Sequence, residues 1–143
     1  MSQDKNENFL PQESQNDFSY SPNVGRYIKE VMKSRNAEIS IPQIAELTGI
    51  AKYYLYQIIP AKDMPPKNTR NNPTRNMVIA VALALKFSLS ETQQLLEYAG
   101  EEQLQPVSNF DKIIIYALER GMSIVKTNIM LDEEHCELLI FEK

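Results

Sequence analysis

The sequence predicts an all-α protein: a helical bundle that contains a helix-turn-helix and is extended by a second helical hairpin. Three observations lead there. Apolar residues recur at helical spacing from residue 24 onward. Helix-starting Ser, Thr and Pro residues stand just before the apolar runs. Residues 78–96 are echoed, at the same internal spacing, by residues 113–131.

Residues 1–22, beginning MSQDKNENFLPQESQNDFSY, are polar, mildly acidic and without periodicity, which predicts a flexible N-terminal arm. Val24, Ile28, Val31 and Met32 then form the apolar stripe of a first helix, which also carries Arg26, Lys29, Lys33 and Arg35. The next stretch, IPQIAELTGIAKYYLYQII at residues 41–59, reads as two short helices around a turn. Ile44, Ala45, Leu47 and Thr48 repeat at helical spacing, Gly49 interrupts, and Ile50, Leu55, Ile58 and Ile59 resume the pattern. Ala45 is small enough to let the second helix approach. Gly49 supplies the left-handed turn conformation that costs glycine little. Burying Leu55 and Ile58 turns Lys52, Tyr53, Tyr56 and Gln57 outward, with Tyr54 leaning toward the core.

A proline-rich connection, PAKDMPPKNTRNNP, leads to Pro73, which opens the apolar segment NMVIAVALALKF at a position where its missing N–H is harmless. Ser88 and Glu91 have the capping-box spacing for the helix after it. An offset of thirty-five residues then sets Ala82 over Ala117, Leu83 over Leu118, Ser88 over Ser123, Thr92 over Thr127 and Leu96 over Leu131. Both copies read as apolar helix, short turn, Ser N-cap, second helix. Ile113, Ile114, Ile115, Tyr116 and Leu118 are apolar around most of a helix, so the second hairpin packs either on the first or in a subunit interface. In the tail, Leu138, Leu139, Ile140 and Phe141 suit a short strand or a docking peptide. As a strand, the tail would pair with its counterpart in another subunit. The chain thus divides into an arm (1–22), a helix-turn-helix domain (23–100) and a helical extension with a short tail (101–143).

Charge is distributed unevenly along the chain. Residues 23–87 hold ten Lys and Arg against four Asp and Glu, net +6, whereas residues 1–22 are net −3 and residues 88–143 net −7, for the overall −4. A basic block within an acidic chain implies one face that meets a polyanion.

Taken together, Ile44-Ala45, Thr48-Gly49-Ile50, Tyr54-Leu55 and Gln57-Ile58-Ile59, followed by Pro73-Thr74-Arg75, resemble the lambda-repressor-like (XRE-type) helix-turn-helix proteins of bacteria and phages. The resemblance covers residues 23–99. It implies a transcriptional regulator whose second motif helix lies in the major groove of double-stranded DNA. It further implies that Lys52, Tyr53, Tyr56 and Gln57 read bases, that Lys67, Arg70, Asn71 and Arg75 meet the DNA backbone, and that the protein acts as a homodimer. A competing reading keeps the scaffold and gives it a protein partner, because Tyr53, Tyr54 and Tyr56 suit a protein interface.

Enzymatic and metal functions find no support in the residues. His135 is the single histidine and Cys136 the single cysteine, too few for a structural zinc set and, as sequence neighbours, poorly placed as base and nucleophile. Four scattered glycines provide no phosphate loop. The expectation is a protein with no cofactor, no metal and no catalysis. One cysteine also rules out an internal disulfide, and no apolar run is long enough for a signal peptide or a membrane span. The expected location is cytoplasmic.

Overall fold

The computed structural model describes residues 16–59 and 73–141, with side chains from residue 23 onward. Among these residues there are seven helices and no strand: α1 (Asn16–Ser34), α2 (Ile41–Thr48), α3 (Lys52–Ile58), α4 (Arg75–Ala84), α5 (Leu89–Tyr98), α6 (Asn109–Arg120) and α7 (Ile124–Glu133). None of them is long and apolar enough to cross a membrane.

Helix boundaries follow a common chemistry. Ser40, Thr74, Ser88, Ser108 and Ser123 each stand at an N-cap in extended conformation, and each side-chain oxygen accepts the N–H three residues on. Ser88 and Glu91 complete the reciprocal capping box that their spacing predicts. The far ends close with a left-handed residue at Asn36, Lys86, Gly100, Gly121 or His135. The following N–H then reaches back to a carbonyl in the last turn, as from Phe87 to Ala82 at 2.9 Å and from Met122 to Ala117 at 3.0 Å.

α4 lies at the centre. Its residues 78–83 are all buried, and α2, α5, α6 and α7 pack around it. α1 lies across α5 and α3, which joins the first half of the chain to the same core. Tyr27 of α1 reaches Phe87 edge-on with centroids 6.5 Å apart, and it meets Tyr98 of α5 at 5.5 Å. The second hairpin packs on the first within one chain, which settles one of the two placements expected for it.

The thirty-five-residue echo is structural as well as sequential. Ala82 and Ala117, Thr92 and Thr127, and Leu96 and Leu131 are all buried. Both threonine hydroxyls donate to the carbonyl of their N-cap serine, Thr92 to Ser88 at 2.8 Å and Thr127 to Ser123 at 2.7 Å. The echo extends further than the residues that first revealed it. Gln93 of α5 clamps the backbone of Leu104, accepting its N–H at 2.7 Å and donating to its carbonyl at 2.8 Å. Thirty-five residues on, Asn128 of α7 clamps Leu139 in the same way, at 2.8 and 3.2 Å. Both leucines are buried.

This second clamp corrects the expectation of a tail strand paired with another subunit. The Leu139 backbone is satisfied by a side chain of its own molecule, and the tail docks along α7. The helix of Ile113–Leu118 is likewise less uniformly covered than its composition suggests: Ile113, Ile114 and Leu118 are buried, Ile115 is half-buried and Tyr116 is exposed.

An ion pair joins the two hairpins. Arg75, at the start of α4, donates to both oxygens of Asp111 in α6 at 3.2 and 3.0 Å, and to the carbonyls of Glu102 and Gln103 at 2.8 and 3.2 Å. Asp111 also accepts the Gln105 N–H at 2.9 Å. Removing one partner of a mostly buried, bidentate pair strands the other. Asp111→Ala is expected to lower stability by about 2–3 kcal/mol in urea unfolding. Gln93→Ala and Asn128→Ala, which each leave a buried N–H without its acceptor, are expected to cost about 1–2 kcal/mol.

Candidate nucleic-acid interface

The geometry of α2 and α3 is fixed at the junction from Thr48 to Ala51. Thr48 donates its hydroxyl to the Ile44 carbonyl at 2.7 Å and accepts the Ile50 N–H at 3.0 Å, so one buried side chain ties the end of α2 to the turn. Gly49 follows at φ 82°, its N–H on the Ala45 carbonyl at 2.8 Å. Ile50 is then buried, and α3 begins after Ala51. Ser40 and Pro42 define the other end of α2, with the Ser40 hydroxyl accepting the Gln43 N–H at 3.3 Å.

Only two residues within α3, Leu55 and Ile58, are buried, with Ile59 just beyond them. They hold the helix against α1 and α2 and leave the rest of its surface open. Lys52 is exposed, as are Tyr53 (69%) and Tyr56 (48%), while Gln57 is half-buried at the margin. The expected base-reading residues therefore share one short helix, with the glutamine the least accessible of the four. Tyr54 departs from expectation. It is 42% exposed, its ring edge-on to Tyr53 with centroids 5.3 Å apart, because a seven-residue helix held by two side chains has little core to offer a third. Leu47 of α2, half-exposed, adds an apolar side chain on the neighbouring helix.

The expected backbone-contacting residues divide differently. Lys67, Arg70 and Asn71 lie outside the described residues. Arg75 is turned into the protein: four of its N–H bonds go to Asp111, Glu102 and Gln103. Its expected phosphate contact gives way to a structural one. Two further cations of the basic block also serve the fold. Arg35 donates to the Leu85 carbonyl at the end of α4, pairs with Glu91 and lies over the Phe87 ring at 5.4 Å, and Lys86 donates to the Gly121 carbonyl at 2.8 Å. Arg26 and Lys33 on α1 and Lys52 on α3 are exposed. Sequence spacing alone could not separate these roles, since the anion that holds Arg75 is thirty-six residues away.

No family model, curated protein or solved structure matches this chain. The chemistry of the surface must follow from its residues. Phenolic hydroxyls both donate and accept, and their rings pack against apolar groups, so α3 suits phosphate oxygens, base edges or a protein surface. A cleft between Leu47, Leu83 and Val125 has a volume of about 100 Å³, below the roughly 300–1,000 Å³ of small-molecule sites. Among the described residues, no cluster of three or more His, Cys, Asp or Glu side chains is placed to hold a metal ion.

The turn generates a test of its own. A Cβ at Gly49 would meet no atom within 4 Å, so the cost of Gly49→Ala is conformational and not steric crowding by neighbours. Thermal or urea unfolding should show a loss of about 1–2 kcal/mol for Gly49→Ala and a smaller loss for Gly49→Asn, whose side chain tolerates the left-handed region.

Proposed function

We propose that the chain is a sequence-specific DNA-binding transcriptional regulator of the lambda-repressor-like kind, bacterial or phage, with α3 as the helix that enters the major groove. The observation that carries this reading is the α2–α3 unit itself. Two short helices are locked through Thr48 and Gly49, and the second is anchored by Leu55 and Ile58 while Lys52, Tyr53 and Tyr56 face outward. The net +6 of residues 23–87 supplies attraction for a polyanion.

In this mechanism Tyr53 and Tyr56 contact phosphates or pack against thymine methyl groups, and Gln57 reaches an adenine edge. Lys52, with Arg26 and Lys33 of α1, meets phosphates alongside Lys67, Arg70 and Asn71. The protein binds as a homodimer in the cytoplasm, placing one α3 in each of two successive major grooves and acting by occupancy.

A second reading is favoured by a specific observation. Leu47, Tyr53, Tyr54 and Tyr56 together expose more apolar and aromatic surface than cationic surface on α2 and α3. Exposed tyrosines are frequent anchors of protein interfaces, and a helix-turn-helix scaffold can serve as an interaction module without DNA.

Fluorescence anisotropy of a labelled mixed-sequence duplex, titrated at several salt concentrations, separates the two. DNA binding should weaken steeply as salt rises, and Lys52→Ala should lower the slope of log affinity against log salt by about one unit. Gln57→Ala should alter the preferred sequence in a site selection while leaving nonspecific affinity nearly unchanged. Absence of binding at low salt would favour the interaction module.

A further inference from the structure

The outer face of α7 is apolar where nothing in the fold asks for it. Val125 is 70% exposed and Ile129, one turn on, is 53% exposed; Ile140, held beside α7 by the Asn128 clamp on Leu139, is 68% exposed. The repeat provides an internal control. Thirty-five residues earlier the same three positions are Ser90, Gln94 and Gln105, on a hairpin with the same serine cap, the same buried threonine and the same amide clamp. A polar face is thus fully compatible with this hairpin, and the apolar one on α7 serves something outside the chain.

The charges around the face indicate its occupant. Lys126 is exposed near the start of α7, and Asp132 and Glu133 are exposed at its end. Such a helix is complementary to itself turned end for end. With a two-fold axis near Ile129, Ile129 meets its own counterpart, Lys126 faces Asp132 of the second copy, and Val125 lies opposite Glu133, an arrangement that symmetry makes twice. A parallel alignment would instead set lysine on lysine and acid on acid. Antiparallel pairing also opposes the two helix dipoles, and a two-fold contact closes on itself without forming a filament.

We propose that α7 is the self-association surface of this protein, pairing antiparallel with α7 of a second copy across Ile129, with Val125 at the edge of the contact. The pairing needs no DNA and stands independently of any role for α3.

Sedimentation velocity of the full chain without DNA, from about 1 to about 100 µM, a span that reveals even a weak interface, tests it. The expected result is a concentration-dependent shift from monomer to dimer. Ile129→Glu should remain monomeric over the range, with the thermal unfolding profile of the dilute wild-type protein. Lys126→Glu should weaken the dimer about tenfold, and the doubly exchanged Lys126→Glu/Asp132→Lys should restore it, since two like-charge contacts become two opposite ones. A wild-type chain that stays monomeric throughout would overturn the proposal and leave the face to a different protein. A dimer that survives Ile129→Glu, or a charge exchange that fails to rescue, would overturn it equally.

Discussion

The rest of the structure depends on the burial of α4. From Val78 to Leu83 it has no face for water, and a helix apolar on all sides is stable only when covered on all sides. Ala80 and Ala82 keep it narrow, so that neighbours approach its backbone closely, while Ile79, Val81 and Leu83 fill the spaces between them. The cover comes from two directions in sequence: α2 from the preceding segment, and α5, α6 and α7 from the following one. The second hairpin is therefore part of the core on which the α2–α3 unit is mounted. Each fully buried aliphatic side chain contributes about 1.5–3 kcal/mol, so α4 binds the two halves of the chain into one cooperative body.

Much of this arrangement was legible before any coordinates because it depends on residue types with few alternative uses. Serine ahead of an apolar run, glycine after one, and Ala82/Ala117 and Leu96/Leu131 at a fixed offset revealed the helix starts, the turn at Gly49 and the duplicated hairpin. What escaped was long-range polar pairing. Gln93 and Asn128 differ in length and type, so their shared clamp is invisible as a repeat until Leu104 and Leu139 are seen between their arms. Arg75 looks like a phosphate ligand at a helix start until Asp111 is found against it. Tyr54 sits next to Leu55 in sequence, yet α3 buries only two of its residues, and helical phase alone does not report how deep a groove its partners form.

The basic block reads differently once its members are placed. Arg35, Arg75 and Lys86 hold helix ends and inter-hairpin joints together, and two of these joints are carbonyl oxygens at the ends of α4 and α6, where the helix dipole favours a cation. Net charge summed along a segment thus counts structural and solvent-facing cations alike. Of the block's exposed cations among the described residues, Arg35 and Lys86 are engaged at such joints, whereas Arg26 and Lys33 lie on α1 and Lys52 on α3.

The amide clamps bear on how this molecule behaves in crowded solution. Residues 101–105 and 137–141 belong to no helix or strand, and backbone with free N–H and C=O groups is a template on which a foreign strand can grow. Gln93 and Asn128 occupy both groups at Leu104 and Leu139, and each leucine is turned inward. One side chain thus acts as a surrogate for a neighbouring strand. At those two points the backbone offers no free pair of groups on which cross-β aggregation could start.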